Sequence, residues 1–464
     1  MNLEFSHKNR ESAASLISED ESGGDPVQAL SKKLQARRAI IGVIGLGYVG
    51  LPLALTSTDA GFETIGVDLD ESRVGALRAG DSFLSHIDGA AIGKTRGRLQ
   101  VHSVYAPLSR ADVVVICVPT PITSNCAPDL GPIEQATQEL STQLRPGQLV
   151  ILASTSFPGT TEEIVGAILQ QSGLQLGRDF FLAFSPERED PGSKKFTAQQ
   201  VPRVVGGTDQ DSLELAEAFF GALAIPTVRV SSAQTAEAVK LLENTFRAVN
   251  IAFVNELKTV FSSMGIDIWE VIRAAQTKPF GYMPFFPGPG VGGHCIAADP
   301  YYLIWRAREF HVSTRLTEMA CDINRLMPER VISGLIQALD CASKRGLNGA
   351  EILVVGVAYK PNIGDVRDSP ALRIIQLLER RGATVSYQDP LVPVLPDFDE
   401  YAALAGRTSL PAIGVNYENF DCIIVVTDHD AFDYSRIAES GRLLIDTRNA
   451  FERRGISSQK LVKL

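Results

Sequence analysis

The chain of 464 residues has no block of basic residues, and its formal charge is −10. A nucleic acid or an anionic membrane surface is a poor partner for such a surface, so anionic ligands must be met by local Arg, Lys or helix N-termini. No apolar run approaches the roughly 18 residues that a membrane helix needs. The opening residues Met-Asn-Leu-Glu-Phe-Ser-His are polar and carry no apolar signal core. The six cysteines (117, 126, 295, 321, 341 and 422) show no CxxC or other metal-like spacing. These absences point away from a metal centre, a disulfide scaffold and a membrane protein. They predict a cytoplasmic protein with reduced thiols.

What is present is a chain of ordinary hydrophobic content, long enough for two or three domains. Residues 1 to about 25 are rich in Ser, Glu, Asp and Gly and read as a polar extension, and Pro26 to Arg38 as a short amphipathic helix. Ala39 to Gly45 has the pattern of a buried strand and runs into Gly45-Leu-Gly47-Tyr-Val-Gly50. A helix is expected over Leu53 to Ala60, and further strands over Gly61 to Asp68, Ala111 to Pro119 and Gln148 to Ser154. Strands alternating with helices imply parallel βαβ units.

The pattern recurs near the C-terminus. Glu351 to Gly356 is a buried strand, Ser369 to Arg381 a helix, Gly382 to Asp389 a strand ending in Asp, and Phe420 to Thr427 echoes Ala111 to Val118. An α/β fold follows: two Rossmann-like domains joined by a long central helix and a helical middle domain. The expected boundaries are 1–37 for the extension, 38–228 for the first Rossmann-like domain, 229–335 for the central helical domain and 336–464 for the second. Between the two lies Ala236 to Lys258, free of Gly and Pro and apolar on more than one face, which suits a second subunit as well as an intrachain core.

The G-x-G-x-x-G of Gly45, Gly47 and Gly50 gains specificity from its context. A strand precedes it, a helix follows, and Asp68 ends the next strand. The glycines allow close approach of a pyrophosphate at a helix N-terminus. Asp68 suits ribose hydroxyls and repels a 2′-phosphate, favouring NAD over NADP, although Arg73 lies nearby. The second unit lacks this fingerprint: Gly356 leads into a longer loop with Tyr359, Lys360 and Arg367, whose cations suit a phosphorylated ligand or are surface charges.

Pro287-Gly-Pro-Gly-Val-Gly-Gly-His294-Cys295 is a glycine-rich loop that ends in a cysteine, with Asp299 four residues on. If a helix begins there, its dipole favours the Cys295 thiolate and both residues share a face. Lys240 and Asn244, also four apart, are candidate donors to an oxyanion. Glu187, in Ser-Pro-Glu-Arg188, and Ser154-Thr155 end strands at the edge where α/β sheets bind ligands.

These motifs, in this order, resemble those of the nucleotide-sugar 6-dehydrogenases, the family that oxidises UDP-glucose, UDP-N-acetylglucosamine and UDP-N-acetylmannosamine. The markers are GLGYVGLPLA (45–54), CVPTP (117–121), SPEREDPG (185–192), KLLENTFRAVNIAFVNE (240–256), GPGVGGHCIAADPYYL (288–303) and GVAYKPNIGDVRDSP (356–370). The resemblance implies a two-step, four-electron oxidation at C6 of a UDP-sugar, with NAD as hydride acceptor. Cys295 would form a thiohemiacetal and then a thioester, Lys240 and Asn244 would stabilise oxyanions, and Asp299, Glu187 and Thr155 would organise water and proton transfer. It extends the cofactor site to Tyr48, Val49, Arg73, Pro119, Thr120 and Thr155. It extends the substrate site to Arg188, Phe286, Gly288, Gly292, Tyr359, Lys360 and Arg448. His294 and SPEREDPG resemble the N-acetylhexosamine branch, which puts UDP-GlcNAc first and UDP-ManNAc, UDP-GalNAc and UDP-glucose behind it. The surplus apolar faces of the long helix predict a homodimer, and the scattered cysteines predict no metal. Two other readings stay open on the residues alone: a nucleotide-binding regulatory protein without catalysis, and a hydroxy-acid dehydrogenase of similar plan, which would need no cysteine.

Overall fold

The computed structural model describes residues 25–84, 87–95, 97–123, 125–188, 200–344 and 346–464, without the side chains of His294, Cys295, Ser343 and Asp399. The polar extension up to residue 24 and the end of the SPEREDPG motif lie outside the described residues.

Short runs of branched apolar residues build the first sheet: β1 (Ile40–Ile44), β2 (Glu63–Val67), β3 (Leu99–His102), β4 (Val113–Ile116), β5 (Leu149–Leu152), β6 (Phe181–Phe184), β7 (Arg203–Gly207) and β8 (Thr227–Arg229). Its order is β3-β2-β1-β4-β5-β6-β7-β8. All neighbouring pairs are parallel except β6 with β7. Residues 113–116 are Val-Val-Val-Ile and buried throughout, as expected of a central strand covered on both faces. Apolar side chains from alternate positions feed one core on each side of the sheet. Between β1 and β4 the order of strands reverses, which opens the crevice where such sheets bind ligands.

The second sheet holds β9 (Glu351–Val355), β10 (Thr384–Gln388), β11 (Cys422–Val425), β12 (Leu444–Asp446) and β13 (Leu461–Lys463), in the order β10-β9-β11-β12-β13 and all parallel. The internal repeat extends to atomic detail. The Gly45 N–H donates to Val67 O at 2.7 Å and the Gly356 N–H to Gln388 O at 2.9 Å. Both glycines have positive φ, +86° and +78°, and an added Cβ would collide with the carbonyl of Cys117 or Thr427. The next N–H, of Leu46 or Val357, donates to the aspartate that follows the second strand, Asp68 or Asp389.

The central helix runs over Ala233–Ser263, opened by the Ser232 side chain, which accepts the Thr235 N–H. A short helix, Ile268–Ala275, follows. The apolar surplus on the long helix divides as its pattern suggests. Leu241 and Val254 are buried within the chain, while Leu242, Phe246, Phe253 and Val260 are exposed. At the far end of the chain Lys463 bonds Asp267, and Arg273 bonds Glu452, tying the second sheet to the short helix.

Most expected elements are shorter than read from sequence, but the helix after the glycine motif is longer at its start. It occupies Gly50–Asp59, because Gly50 packs so tightly on the loop that a Cβ would lie 1.8 Å from Gly45 O.

Candidate functional site

The glycine loop fits a dinucleotide. Nothing lies within 4 Å of a Cβ added at Gly47, so backbone is exposed to a close ligand there. The helix that follows has Val49 at its N-cap and no capping side chain; its Leu51 N–H donates to Gly47 O and Pro52 has none, so the helix dipole is what favours an anion there. Asp68 is buried and accepts N–H bonds from Leu46 and Asp70 at 2.8 and 3.0 Å. Arg73 approaches Asp68 at 3.7 Å and pairs more closely with Asp70. After β4, Pro119 is exposed and Thr120 buried; after β5, Thr155 is half-buried.

The repeat unit has its equivalent position filled from within. His429 sits fully buried against Asp389, with Nε2 at 3.0 Å from the carboxylate, while its Nδ1 accepts the Asn362 N–H at 2.9 Å. That acceptor role fixes the proton on Nε2. Burial pushes Asp389 up, but bonds from His429 and from backbone N–H groups outweigh it and hold the carboxyl below its ordinary value.

A helix does begin at the cysteine loop. It spans His294–Glu309, with Gly293 at the N-cap, φ +81° and no capping side chain. Cys295 therefore lies in its first turn, four residues before Asp299. The helix is seated on both ligand-side loops: Tyr302 Oη donates to Pro121 O at 3.0 Å and Arg306 Nε to Pro158 O at 3.0 Å. Asp299 is buried and accepts from Asn244 Nδ2 at 2.5 Å. One turn earlier on the long helix, Lys240 Nζ donates to Glu187 O at 2.5 Å. Lys240, Asn244, Asp299 and Glu187 are thus brought together from a loop and two helices, and Lys240 and Asn244 are themselves buried.

The loop before the cysteine is held by a relay of asparagines. Asn255 Oδ1 accepts the Gly288 N–H, Asn255 Nδ2 donates to Asn324 Oδ1, and Asn324 Nδ2 donates to Ala248 O. A Cβ at Gly288 would lie 2.5 Å from Arg448, and one at Gly292 or Gly293 would strike Tyr359. These glycines are close-approach positions where the loop meets the second sheet's domain. Tyr359 and Lys360 are half-buried in that loop region. Arg367, whose carbonyl accepts the Gly293 N–H, pairs with Asp365 and stacks on Tyr48 of the glycine motif, 4.3 Å from its ring centroid.

A cavity of about 390 Å³ opens beside this junction, lined by Trp269, Phe286, Pro287 and Arg448 among others. Trp269 and Phe286 stack with ring centroids 5.8 Å apart. Asn449, 1% exposed, lines it with neither amide atom partnered among the described residues, and Trp269 Nε1 is likewise buried and unpartnered. Nearby, burial pulls the Lys258 ammonium down to about 8, against the pull of Asp446. Orphaned donors and acceptors around an aromatic stack suit a planar polar ring.

Reading the sequence alone missed Trp269, Asn449, Asn255, Asn324 and Arg203. Only Arg203 carried a usable signal, a charge opening an otherwise apolar strand. Arg188 does not face open solvent: it bonds Glu243 on the long helix and Pro202 O. No helix among the described residues is long and apolar enough to cross a membrane, and no cluster of His, Cys, Asp and Glu among them suits a metal ion.

Three family profiles cover the chain: the NAD binding domain of the UDP-glucose/GDP-mannose dehydrogenase family over residues 39–224, its central domain over 234–326 and its UDP binding domain over 353–453. A UDP-N-acetyl-D-glucosamine 6-dehydrogenase of Pseudomonas aeruginosa is 34% identical over 394 residues, 84% of this chain and 91% of that one. An NDP-N-acetyl-D-galactosaminuronic acid dehydrogenase of Ralstonia nicotianae is 35% identical over 434 residues, covering 90% and 97%. Among solved structures, a UDP-D-ManNAc dehydrogenase from Pyrococcus horikoshii superposes with a TM-score of 0.80 at 31% identity, covering 91% of this chain and 98% of that one. The chain belongs to the UDP-glucose/GDP-mannose dehydrogenase family and is an NAD-dependent nucleotide-sugar dehydrogenase.

Proposed function

We propose that the protein oxidises the C6 alcohol of a UDP-N-acetylhexosamine, UDP-GlcNAc first, to the uronic acid through a thioester on Cys295. The observation that carries this reading is the bond from Asn244 to Asp299. It ties the helix bearing Lys240 to the helix whose first turn holds Cys295, which supports a shared site for Lys240, Asn244 and Asp299 next to the start of the cysteine helix.

NAD would be held by Gly45, Gly47, Tyr48, Val49 and Gly50, with Asp68, Arg73, Pro119, Thr120 and Thr155 completing its site, and would supply the hydride acceptor for each oxidation. The remaining chemistry belongs to the chain. As a hydride leaves C6, the C6 hydroxyl passes its proton to the water held by Thr155, Glu187 and Asp299, and the aldehyde carbon is captured by the Cys295 thiolate, which the helix N-terminus favours. Lys240 and Asn244 donate to the oxygen that becomes negative as the sulfur adds. A second hydride leaves the thiohemiacetal and gives the thioester. Covalent capture keeps the aldehyde from escaping between the two oxidations. Water ordered by Thr155, Glu187 and Asp299 then cleaves the thioester.

The sugar nucleotide would lie between Arg188 and the loop with Phe286, Gly288 and Gly292, its diphosphate toward Tyr359, Lys360 and Arg448, its base in the aromatic cavity. The exposed stripe Leu242, Phe246, Phe253 and Val260 supports a homodimer through the long helix. Incubation with NAD and, in turn, UDP-GlcNAc, UDP-ManNAc, UDP-GalNAc and UDP-glucose, followed as NADH absorbance, tests the assignment. UDP-GlcNAc should give the highest kcat/KM; turnover of UDP-glucose alone would refute the N-acetylhexosamine reading.

A further inference from the structure

Arg203 opens β7, a strand buried along its whole length, and is itself 4% exposed. A desolvated guanidinium in a sheet is costly, and an apolar residue would serve packing at least as well. Its neighbours Val204 and Val205 are of that kind. Arg203 Nη2 instead donates to Glu187 Oε2, while Glu187 Oε1 accepts the Arg188 N–H at 2.7 Å. The guanidinium also stacks on Phe220, 5.2 Å from the ring centroid. Arg188 crosses in the opposite direction, its Nη1 reaching Pro202 O at 2.6 Å and its Nη2 reaching Glu243 at 2.6 Å. Two arginines therefore lace the Glu187 loop to the start of β7, and the carbonyl of the same Glu187 accepts Lys240.

We propose that Arg203 is the positioning residue of Glu187: it fixes the angle of the carboxylate toward the thioester. This rests on the role given to Glu187 above. A carboxylate offers about four lone-pair sites. One on each oxygen is used by Arg203 and by the Arg188 N–H, which sets the plane of the carboxylate. In the cleavage the water oxygen bonds to the thioester carbon, the carbon–sulfur bond breaks, and sulfur leaves with the electron pair as the Cys295 thiolate. One water proton passes to Glu187, and the other is lost as the product acid ionises. A carboxylate turned away from the water would stall this step without weakening UDP-sugar binding.

The test compares Arg203→Met, Arg203→Lys, Glu187→Gln and the Glu187→Gln/Arg203→Met pair, reading kcat, KM for the UDP-sugar and the acyl-enzyme by mass after acid quench. Arg203→Met should lower kcat about 10–100-fold, change KM less than about threefold, and accumulate acyl-enzyme. Arg203→Lys should recover part of the rate. The double variant should be no slower than Glu187→Gln alone. Should Arg203→Met fold poorly, the double variant, which leaves no unpaired charge, and Arg203→Lys report on the same step. If Glu187→Gln is slow but Arg203→Met is not, or if the two effects multiply, the positioning role is overturned and the role of Glu187 stands. If Glu187→Gln turns over at the unmodified rate, the role of Glu187 itself falls, and this proposal with it.

Discussion

The guanidinium of Arg367 lies 4.3 Å above the ring of Tyr48, while the carbonyl of Arg367 accepts the N–H of Gly293. One residue thus touches the dinucleotide loop with its side chain and the entrance to the Cys295 helix with its backbone. Arg367→Ala removes the first contact and leaves the second. A cation–π contact of this kind contributes about 0.5–2 kcal/mol, so KM for NAD should rise about 2- to 30-fold. Initial rates at varied NAD check this. An unchanged KM would show that the stacking does not shape the cofactor loop.

Asp68 holds the glycine loop through the Leu46 N–H, and the proposed function gives it the ribose hydroxyls. Charge-assisted hydrogen bonds contribute about 1.5–3 kcal/mol each, so Asp68→Ala should raise KM for NAD by about tenfold or more and narrow the gap to NADP. Equal turnover of NAD and NADP by the unmodified protein would contradict the assignment.

The glycine loop with Asp68, the helix that starts at the cysteine, and the nearness of Lys240 and Asn244 to Asp299 are legible in the sequence because their signals are local, a fixed spacing on a turn or a helix. The central strands of both sheets are legible for the same reason, through runs such as Val113–Ile116 and their echo in Cys422–Val425, whereas the short strands β3, β7, β8, β12 and β13 are not. What stayed hidden depends on contacts between distant segments. Asn449 and Trp269 meet only because the second sheet docks on the central helices. Nothing in the sequence around Asp389 announces that His429 fills its position. Arg367 read equally well as a surface charge until Tyr48 lay beneath it.

Glu237 is fully buried on the long helix and accepts from the Gly159 N–H, the Thr161 N–H and the Thr161 hydroxyl. Desolvation pushes its carboxyl up to about 7, against the effect of those bonds. Its folded-state value therefore lies above its unfolded one. The stability it contributes is full below the unfolded value and is lost as pH rises through the folded one, to a total of about 3 kcal/mol. Thermal melts from pH 4 to pH 8 should show a loss that Glu237→Gln lacks. Parallel curves for the two proteins would show that the carboxyl does not titrate in this range.

Leu242, Phe246, Phe253 and Val260 form an exposed stripe along one helix that also carries Lys240 and Asn244. Burial on a second subunit removes that area from water at about 25 cal/mol per Å². Phe246→Asp and Phe253→Asp should each weaken the proposed dimer and lower activity together, measured by sedimentation and NADH formation. Val254, buried within its own chain, should instead destabilise the fold when changed to Asp. A fully active monomer at micromolar concentration would refute the dimer.

The central claim is oxidation through a covalent thioester on Cys295, and the most direct measurement is the count of NADH formed per sugar oxidised. With limiting UDP-GlcNAc and excess NAD, two NADH per uronic acid are expected, and Cys295→Ala should form no acid. One NADH per sugar, with the free aldehyde released into solution, would contradict the account.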